Sequence, residues 1–292
     1  MKHDGSAAGP RHHDKVNKIL NWTLRHSLID RQTVQLLLKV SYSVACAILL
    51  AMVRENLLAR ILGHGVQSKL FRLTPSGARS ADRTRGDFDQ GLRALTNPDE
   101  IGVHYAAHNQ VVARVAAAWL AGRDYDGEVL SPRQIRLHGL AIGASSEHKA
   151  AWKVPDAMLL QPVPEDERDV YSFGHFKTAI EVQQIDESHE TRAYKLWQYW
   201  QAVSEGQIYD FEYVSSYAHI VNAFRDQWHH KLEERIYWVD KHRWTRPSNP
   251  RTIEPDEELL ERASFRVLAH DPFAAGLYPS PAAMSKYSTH RD

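Results

Sequence analysis

The chain reads as an α+β protein: a helical N-terminal domain closed by a short hairpin, then a domain in the order αβββαβ. Three observations predict this. Apolar residues recur at helical spacing from position 14 to 55. Two short, weakly alternating segments flank the turn Gly63-His64-Gly65. Beyond residue 100, helical stripes are interspersed with short β-type runs at 134–142, 152–160 and 178–183.

Residues 1–13 are polar, Gly- and His-bearing, and read as a disordered lead-in. Val16, Ile19, Leu20 and Leu24 share one face of a helix over 14–26. Asp30 predicts the N-cap of a second helix over 31–39, because its carboxylate can accept an unsatisfied backbone N–H. Ser41 and Tyr42 open a third helix over 43–55. Segments 57–62 and 69–74 read as the hairpin, and Thr74-Pro75-Ser76-Gly77 restarts a helix with Pro where its missing N–H costs little. Three helices and a hairpin make the winged helix-turn-helix arrangement, which assigns 14–81 to a winged-helix DNA-binding domain. The competing reading is a generic helical domain with an incidental hairpin.

In a helix-turn-helix the start of the recognition helix meets base edges and phosphates. That makes Ser41, Tyr42 and Ser43 candidate DNA contacts. Arg54, Arg60, Lys69 and Arg72 are the candidate phosphate-binding cations.

Residues 82–99, charged and broken by Gly86, Gly91 and Pro98, read as a linker to a second domain over 100–240. Its first helix, about 100–121, carries Val103, Ala107, Val111, Val115 and Trp119 on one stripe. After the three β-type runs come a helix over 187–204, a strand over 211–215, a helix over 219–232 and an extended segment over 235–240. On the 187–204 helix, Trp197 and Trp200 are expected in the core. Tyr194 and Tyr199 are expected toward a substrate, where aromatics beside Lys195 can stack on unpaired bases. The C-terminal extension, 241–292, is Pro-rich and expected to be partly disordered, with one helix near 257–269.

Composition excludes several classes. Lys plus Arg and Asp plus Glu are both 36, so any DNA surface must be a local patch balanced by acid elsewhere. The single Cys46 rules out an intramolecular disulfide and any cysteine-based zinc site. The N-terminus lacks the apolar core of a signal peptide, and the longest apolar run, 44–53, is far short of the roughly 20 residues a membrane helix needs. A cytoplasmic protein with no membrane partner is expected. There is no Gly-rich phosphate loop for a nucleotide-driven motor or a dehydrogenase. His104 and His108 share a helical face, but no third ligand or His-Glu-x-x-His pattern accompanies them, which disfavours zinc. The His-hydrophobic-His triplet of histidine-triad relaxases is absent as well.

The chemistry-bearing stretch is 153–183. Asp156 follows Pro155 into an apolar run, and Glu181 lies inside Ala179-Ile180-Glu181-Val182, 25 residues later. A carboxylate flanked by Ile and Val on a β-run is costly to bury unless something pairs with it. Two carboxylates meeting across neighbouring strands suit Mg²⁺ or Mn²⁺, hard cations that take oxygen ligands and keep several waters. A metal so held can activate water and stabilise charge on a phosphodiester oxygen. The competing reading leaves each acid facing solvent on an alternating strand.

This layout resembles the PD-(D/E)xK nucleases, with Gln183 where their lysine usually stands. In that superfamily the third residue supports the attacking water and the charged transition state. Glutamine can position water but carries no charge, and Lys153 or Lys195 could supply the missing cation.

Taken with the winged helix, the chain resembles the plasmid replication-relaxation family, which includes the MobC-type mobilisation relaxases. The resemblance covers about 14–240 and rests on the order of short motifs. These are Arg72-Leu73-Thr74-Pro75-Ser76-Gly77-Ala78, a helix with His104 or His108 and Asn109, the Pro155-Asp156 strand, the Glu181 strand, and Lys195-Leu196 with Tyr199. It implies a protein of a plasmid or integrative element that binds an origin on double-stranded DNA and nicks one strand, alongside other mobilisation or replication proteins. Asp156 and Glu181 would hold the metal, with Gln183 and Lys195 completing the catalytic set. The alternative is a catalytically inactive DNA-binding accessory or replication-control protein that keeps the nuclease fold as scaffold.

Overall fold

Asp30 shows how local chemistry sets the first elements: its side chain accepts from the backbone N–H of Thr33 and caps helix α2, Arg31–Leu38. The computed structural model describes residues 10–61, 69–97, 106–122, 127–142, 153–163, 175–230 and 257–268. The chain forms two compact units, 1–123 and 124–292.

In the first unit, α1 (Pro10–His26) starts four residues before the expected position 14, taking in the end of the lead-in read as disordered, and buries Ile19, Leu20 and Leu24. Helix α2 ends at Lys39, which adopts a left-handed conformation. Helix α3 (Tyr42–Arg54) starts from Ser41, whose hydroxyl accepts from Val44 N–H, and turns 110° from α2. Strands β1 (Leu58–Ile61) and β2 (Leu70–Leu73) pair antiparallel, Leu58 opposite Leu73. Ile29, between α1 and α2, bridges Phe71 from the other side of β2.

Helix α4 (Pro75–Asp82) begins at Thr74, whose hydroxyl accepts from Gly77 N–H, with Pro75 in the first turn. A Cβ on Gly77 would lie 2.0 Å from the carbonyl oxygen of Leu57. Only glycine lets α4 pack this close to the start of the hairpin.

Two expectations for this region change. The segment 82–99 holds a 3-10 turn at Asp87–Asp89, and the buried Asp89 pairs with Arg25 of α1 at 2.8 Å, so it is packed rather than a free linker. The helix expected to open the second domain is α5, Ala106–Gly122, and it packs on α2 in the first unit. Its Gln110 and Arg114 both reach Asp30, at 2.7 and 2.8 Å. A helical stripe announces an apolar face but not which neighbour covers it.

The second unit is built on a five-stranded sheet in the order β3 (Glu128–Leu130), β4 (Ala157–Pro162), β5 (His175–Val182), β6 (Asp210–Ser215) and β7 (Ala263–Val267). β3, β4 and β5 are antiparallel neighbours, while β5, β6 and β7 run parallel. Helix α6 (Pro132–Leu137) links β3 to β4, and α7 (His189–Ser204) crosses from β5 to β6. Helices α8 (Ala218–His230) and α9 (Glu257–Glu261) precede β7. The last five residues of β5 and of β6 are buried on both faces, as central strands covered by helices must be.

Here too the structure corrects the sequence reading. Residues 134–142 form α6 and a single bridge, Ile142 to Lys153, not a strand. Ser131 and Gln134 make a reciprocal capping box and Pro132 occupies the first turn, three helix-start signals that outweigh the apolar pattern. The first strand of the sheet is instead the three-residue β3. The helix expected near 257–269 stops after Glu261, and Ala263–Val267 joins β6 as the sheet's edge strand, so this part of the C-terminal extension is structural. The extended segment expected at 235–240 lies outside the described residues. The coarse expectation is what is observed: helices with a small hairpin, then a mixed sheet with interleaved helices. No single described helix is long and apolar enough to cross a membrane.

Candidate functional site

Register brings the two acids together. Ala157 pairs with Ile180, so one step further along the antiparallel ladder Asp156 stands opposite Glu181. Opposed residues project to the same face of a sheet. Asp156 also accepts from the backbone N–H of Val182 at 2.8 Å, which fixes its carboxylate just before the start of β4. In the parallel ladder Glu181 is registered with Tyr213, which places Tyr213 on that face as well.

Glu181 is 4% exposed and fully engaged. Its Oε1 accepts from Lys153 Nζ at 2.7 Å and lies 3.4 Å from Lys195 Nζ; its Oε2 accepts from the Tyr199 hydroxyl at 2.8 Å. Lys153 is held in place by its backbone bridge to Ile142. Lys195 and Tyr199 sit one turn apart on α7, so both side chains descend on the same acid. Ser188 starts that helix by accepting from Thr191 N–H.

Gln183, just past β5, connects the cluster. Its backbone N–H continues the ladder to Val214, its amide nitrogen donates to Ile185 O at 2.6 Å, and its amide oxygen accepts from Lys195 at 2.9 Å. Lys195 also donates to Glu187 at 2.7 Å. Two acids, Glu181 and Glu187, thus meet two lysines, with Asp156 on the same face as Glu181.

The electrostatics follow from burial and these pairings. Burial pushes Glu181 up, but Lys153 and Lys195 outweigh it and hold the carboxyl below its ordinary 4.5. Lys195 is pulled down by burial, yet Glu181 and Glu187 raise it overall. Burial, then Glu181 and Asp156, pushes the Tyr199 phenol well above its usual range, and Tyr213 moves the same way. The Tyr199 hydroxyl donates to Glu181. The buried Tyr213 hydroxyl has no hydrogen-bond partner among the described residues.

The donor set suits a hard cation in kind, since every candidate ligand is an oxygen. Among the described residues no group of three or more His, Cys, Asp or Glu converges as a metal site. Two carboxylates would leave the remaining positions to water and substrate oxygens, the habit of Mg²⁺. The unpartnered Tyr213 hydroxyl is one local group able to meet such a water.

The predicted catalytic residues Asp156, Glu181, Gln183 and Lys195 are therefore brought to one place. Tyr199, expected toward substrate, is instead fully buried against Phe211, ring centroids 4.7 Å apart, while Trp197 is only half-buried. Its role as a partner of Glu181 was missed, as was that of Glu187. The signal for Tyr199 was its four-residue spacing from Lys195.

The predicted DNA contacts lie on the first unit. Ser41, Tyr42, Ser43 and Arg54 are exposed on or beside α3, and Lys69 is exposed before β2. The Ser41 and Ser43 hydroxyls are 3.1 Å apart. Arg31 lies over the Tyr42 ring, 5.1 Å from its centroid, and donates to its hydroxyl. Arg72 differs: it is half-buried and donates to the carbonyls of Leu73 and Thr96, tying the hairpin to the segment after α4. His104, of the disfavoured histidine pair, lies outside the described residues.

In comparisons with known proteins, no family model, no curated protein and no solved structure matches the chain.

Proposed function

We propose that this chain binds double-stranded DNA through its first unit and cleaves one strand at the Asp156–Glu181 cluster, in the manner implied by its resemblance to the plasmid replication-relaxation family. The observation that carries the proposal is Lys195, which brings a cation from α7 to Gln183 and Glu181 on the sheet face that Asp156 shares. A three-stranded antiparallel meander, a crossover helix and a parallel fourth strand also match the order expected of a PD-(D/E)xK core. For the first unit, the 110° turn from α2 to α3, the hairpin and the Ile29–Phe71 bridge support the winged-helix reading.

Charge supports the same division of labour. Residues 1–123 carry 17 Lys and Arg against nine acids, whereas 124–292 carry 19 against 27. The zero net charge therefore conceals a basic unit, the electrostatic footprint of a phosphate-binding surface.

A bound Mg²⁺ or Mn²⁺ would supply Lewis acidity at the phosphodiester and an activated water. Asp156 and Glu181 would hold it, Glu181 first releasing Oε1 from Lys153. Lys195 is poised to stabilise charge on the phosphoryl oxygens, and Gln183 orients it through the amide oxygen. Tyr199 fixes the second oxygen of Glu181.

The experiment is conversion of a supercoiled plasmid carrying the cognate origin to the open circle, with Mg²⁺ or Mn²⁺ and with chelator. Metal-dependent nicking lost in Asp156→Ala and Glu181→Ala, with origin binding retained, supports the reading. No nicking with either metal sinks it. The second reading is then favoured, a DNA-binding scaffold without chemistry, and one observation speaks for it: both oxygens of Glu181 are already satisfied by protein groups.

A further inference from the structure

Helix α3 contains one charged side chain, Arg54 in its last turn, and no Asn, Gln or Lys. Its outward side is largely apolar. Tyr42, Val44 and Leu50 are 53%, 42% and 40% exposed, and Ala47 is exposed between the last two. Ser43, Ala47, Leu50 and Arg54 follow one another at helical spacing, so they form a single stripe with a hydroxyl at one end and a cation at the other.

Exposed apolar side chains that adjoin one another along one helix face can form an interaction surface. The surroundings here select DNA. Ser41 and Ser43 hydroxyls stand at the start of the helix, Arg31 is stacked on Tyr42, Arg54 closes the stripe, and the unit as a whole is basic. The major groove offers one apolar feature, the C5-methyl of thymine, which small aliphatic side chains contact. The usual hydrogen-bonding readers of guanine and adenine, Arg, Lys, Asn and Gln, are missing from the middle of the helix.

Resting on the DNA-binding reading above, we infer that α3 reads its site through thymine methyl groups, with Val44, Ala47 and Leu50 as the reading surface and Arg54 and the N-terminal hydroxyls as phosphate anchors. The target is a duplex whose contacted steps are A·T pairs with methyls on the groove edge facing α3.

The test begins by selecting duplexes from a random-sequence library with the full chain. The recovered sequence is then synthesised with deoxyuridine in place of thymidine, which removes only the methyl. Affinity is measured at several salt concentrations. The expected result is a loss of roughly fourfold for each contacted methyl, the value of burying about one such carbon, with the salt slope unchanged. Val44→Ser and Leu50→Ser, both at exposed positions and checked for folding by circular dichroism, should weaken binding to the thymine duplex and erase the difference between the two duplexes.

Equal affinity for thymine and uracil duplexes overturns the inference, as does a selection that recovers no preferred sequence; both leave DNA binding itself intact. Failure to bind any duplex removes the parent reading as well. If the serine variants turn a dimer into a monomer while wild type ignores the methyl, the face belongs to a second copy of the chain, and the inference is overturned.

Discussion

The ammonium of Lys195 lies 2.9 Å from the amide oxygen of Gln183, so a helix supplies a cation beside the residue where the resembled nucleases carry theirs on the strand. The two groups lie just past β5 and on α7, 12 residues apart. Gln183 cannot bear the charge, but it holds the residue that does.

A charge swap tests this relation directly. In the proposed enzyme Lys195→Ala should lower nicking by about 10²–10³-fold, the usual cost of one preorganised donor to transition-state charge. Gln183→Lys alone sets two ammonium groups in contact and should not restore the natural rate. The pair Gln183→Lys with Lys195→Gln returns one cation to the same place and should recover part of the activity. Equal rates for wild type and Lys195→Ala in a plasmid-nicking assay would remove Lys195 from the mechanism.

Stability should report the same cluster independently of activity. Glu181→Gln leaves Lys153 without its buried counter-charge and should cost about 3–5 kcal/mol in urea unfolding at neutral pH. Because the folded carboxyl is held below its ordinary 4.5, its contribution is present above that pH and lost as pH falls through the folded value. Lys195 is raised above 10.5, so its contribution is lost only as pH rises through that higher value. The wild type should therefore lose stability on the acid side, below about pH 4.5. Glu181→Gln should flatten that acid limb.

Asp30 performs the equivalent role in the first unit, capping α2 while binding Gln110 and Arg114. Burial pushes its carboxyl up, but Arg114 and the hydrogen bonds hold it below 3.8. Arg114 is partly exposed, so Asp30→Ala should fall at the lower end of about 3–5 kcal/mol. Asp30→Asn keeps a good cap and should recover about 1 kcal/mol of that loss. Differential scanning calorimetry of the two variants separates cap from ion pair.

At Gly77 the sign of a common substitution should reverse. Alanine in a helix interior ordinarily stabilises by about 1 kcal/mol over glycine. Here its Cβ would meet Leu57 O at 2.0 Å, and backbone must move. Gly77→Ala should instead destabilise by about 1–3 kcal/mol on thermal or urea unfolding.

Lys69 and Arg72, expected from sequence to act alike, should separate. Lys69 is exposed, so Lys69→Ala should weaken all duplex binding and reduce the salt slope by about one. Arg72 is engaged with the carbonyls of Leu73 and Thr96, and Arg72→Ala should lower the melting temperature. Titrations at several salt concentrations, paired with thermal melts, distinguish the two effects.

Much of the local structure was legible in the sequence. Asp30, Ser41 and Thr74 announced their helices because capping depends on an oxygen within three residues of the N–H it accepts. The hairpin, β5, α7 and β6 followed from apolar period and length, all short-range properties. The errors were of two kinds. At 134–142 a capping box overruled an apolar run, and at 263–267 a strand hid in what read as a tail because its partner β6 lies some fifty residues earlier.

The sequence by itself determined most of the element types and the residue types available for chemistry. Tertiary structure decided which of them meet. Strand register put Asp156 opposite Glu181, α7 brought Lys195 to Gln183, and burial turned Tyr199 inward to hold the acid. It also gave α5 to the first unit and tied Arg72 of the hairpin to Thr96. Periodicity and capping act over a few residues, whereas these contacts join positions 12 to 84 apart, and only packing selects among the many partners a side chain could find at that range.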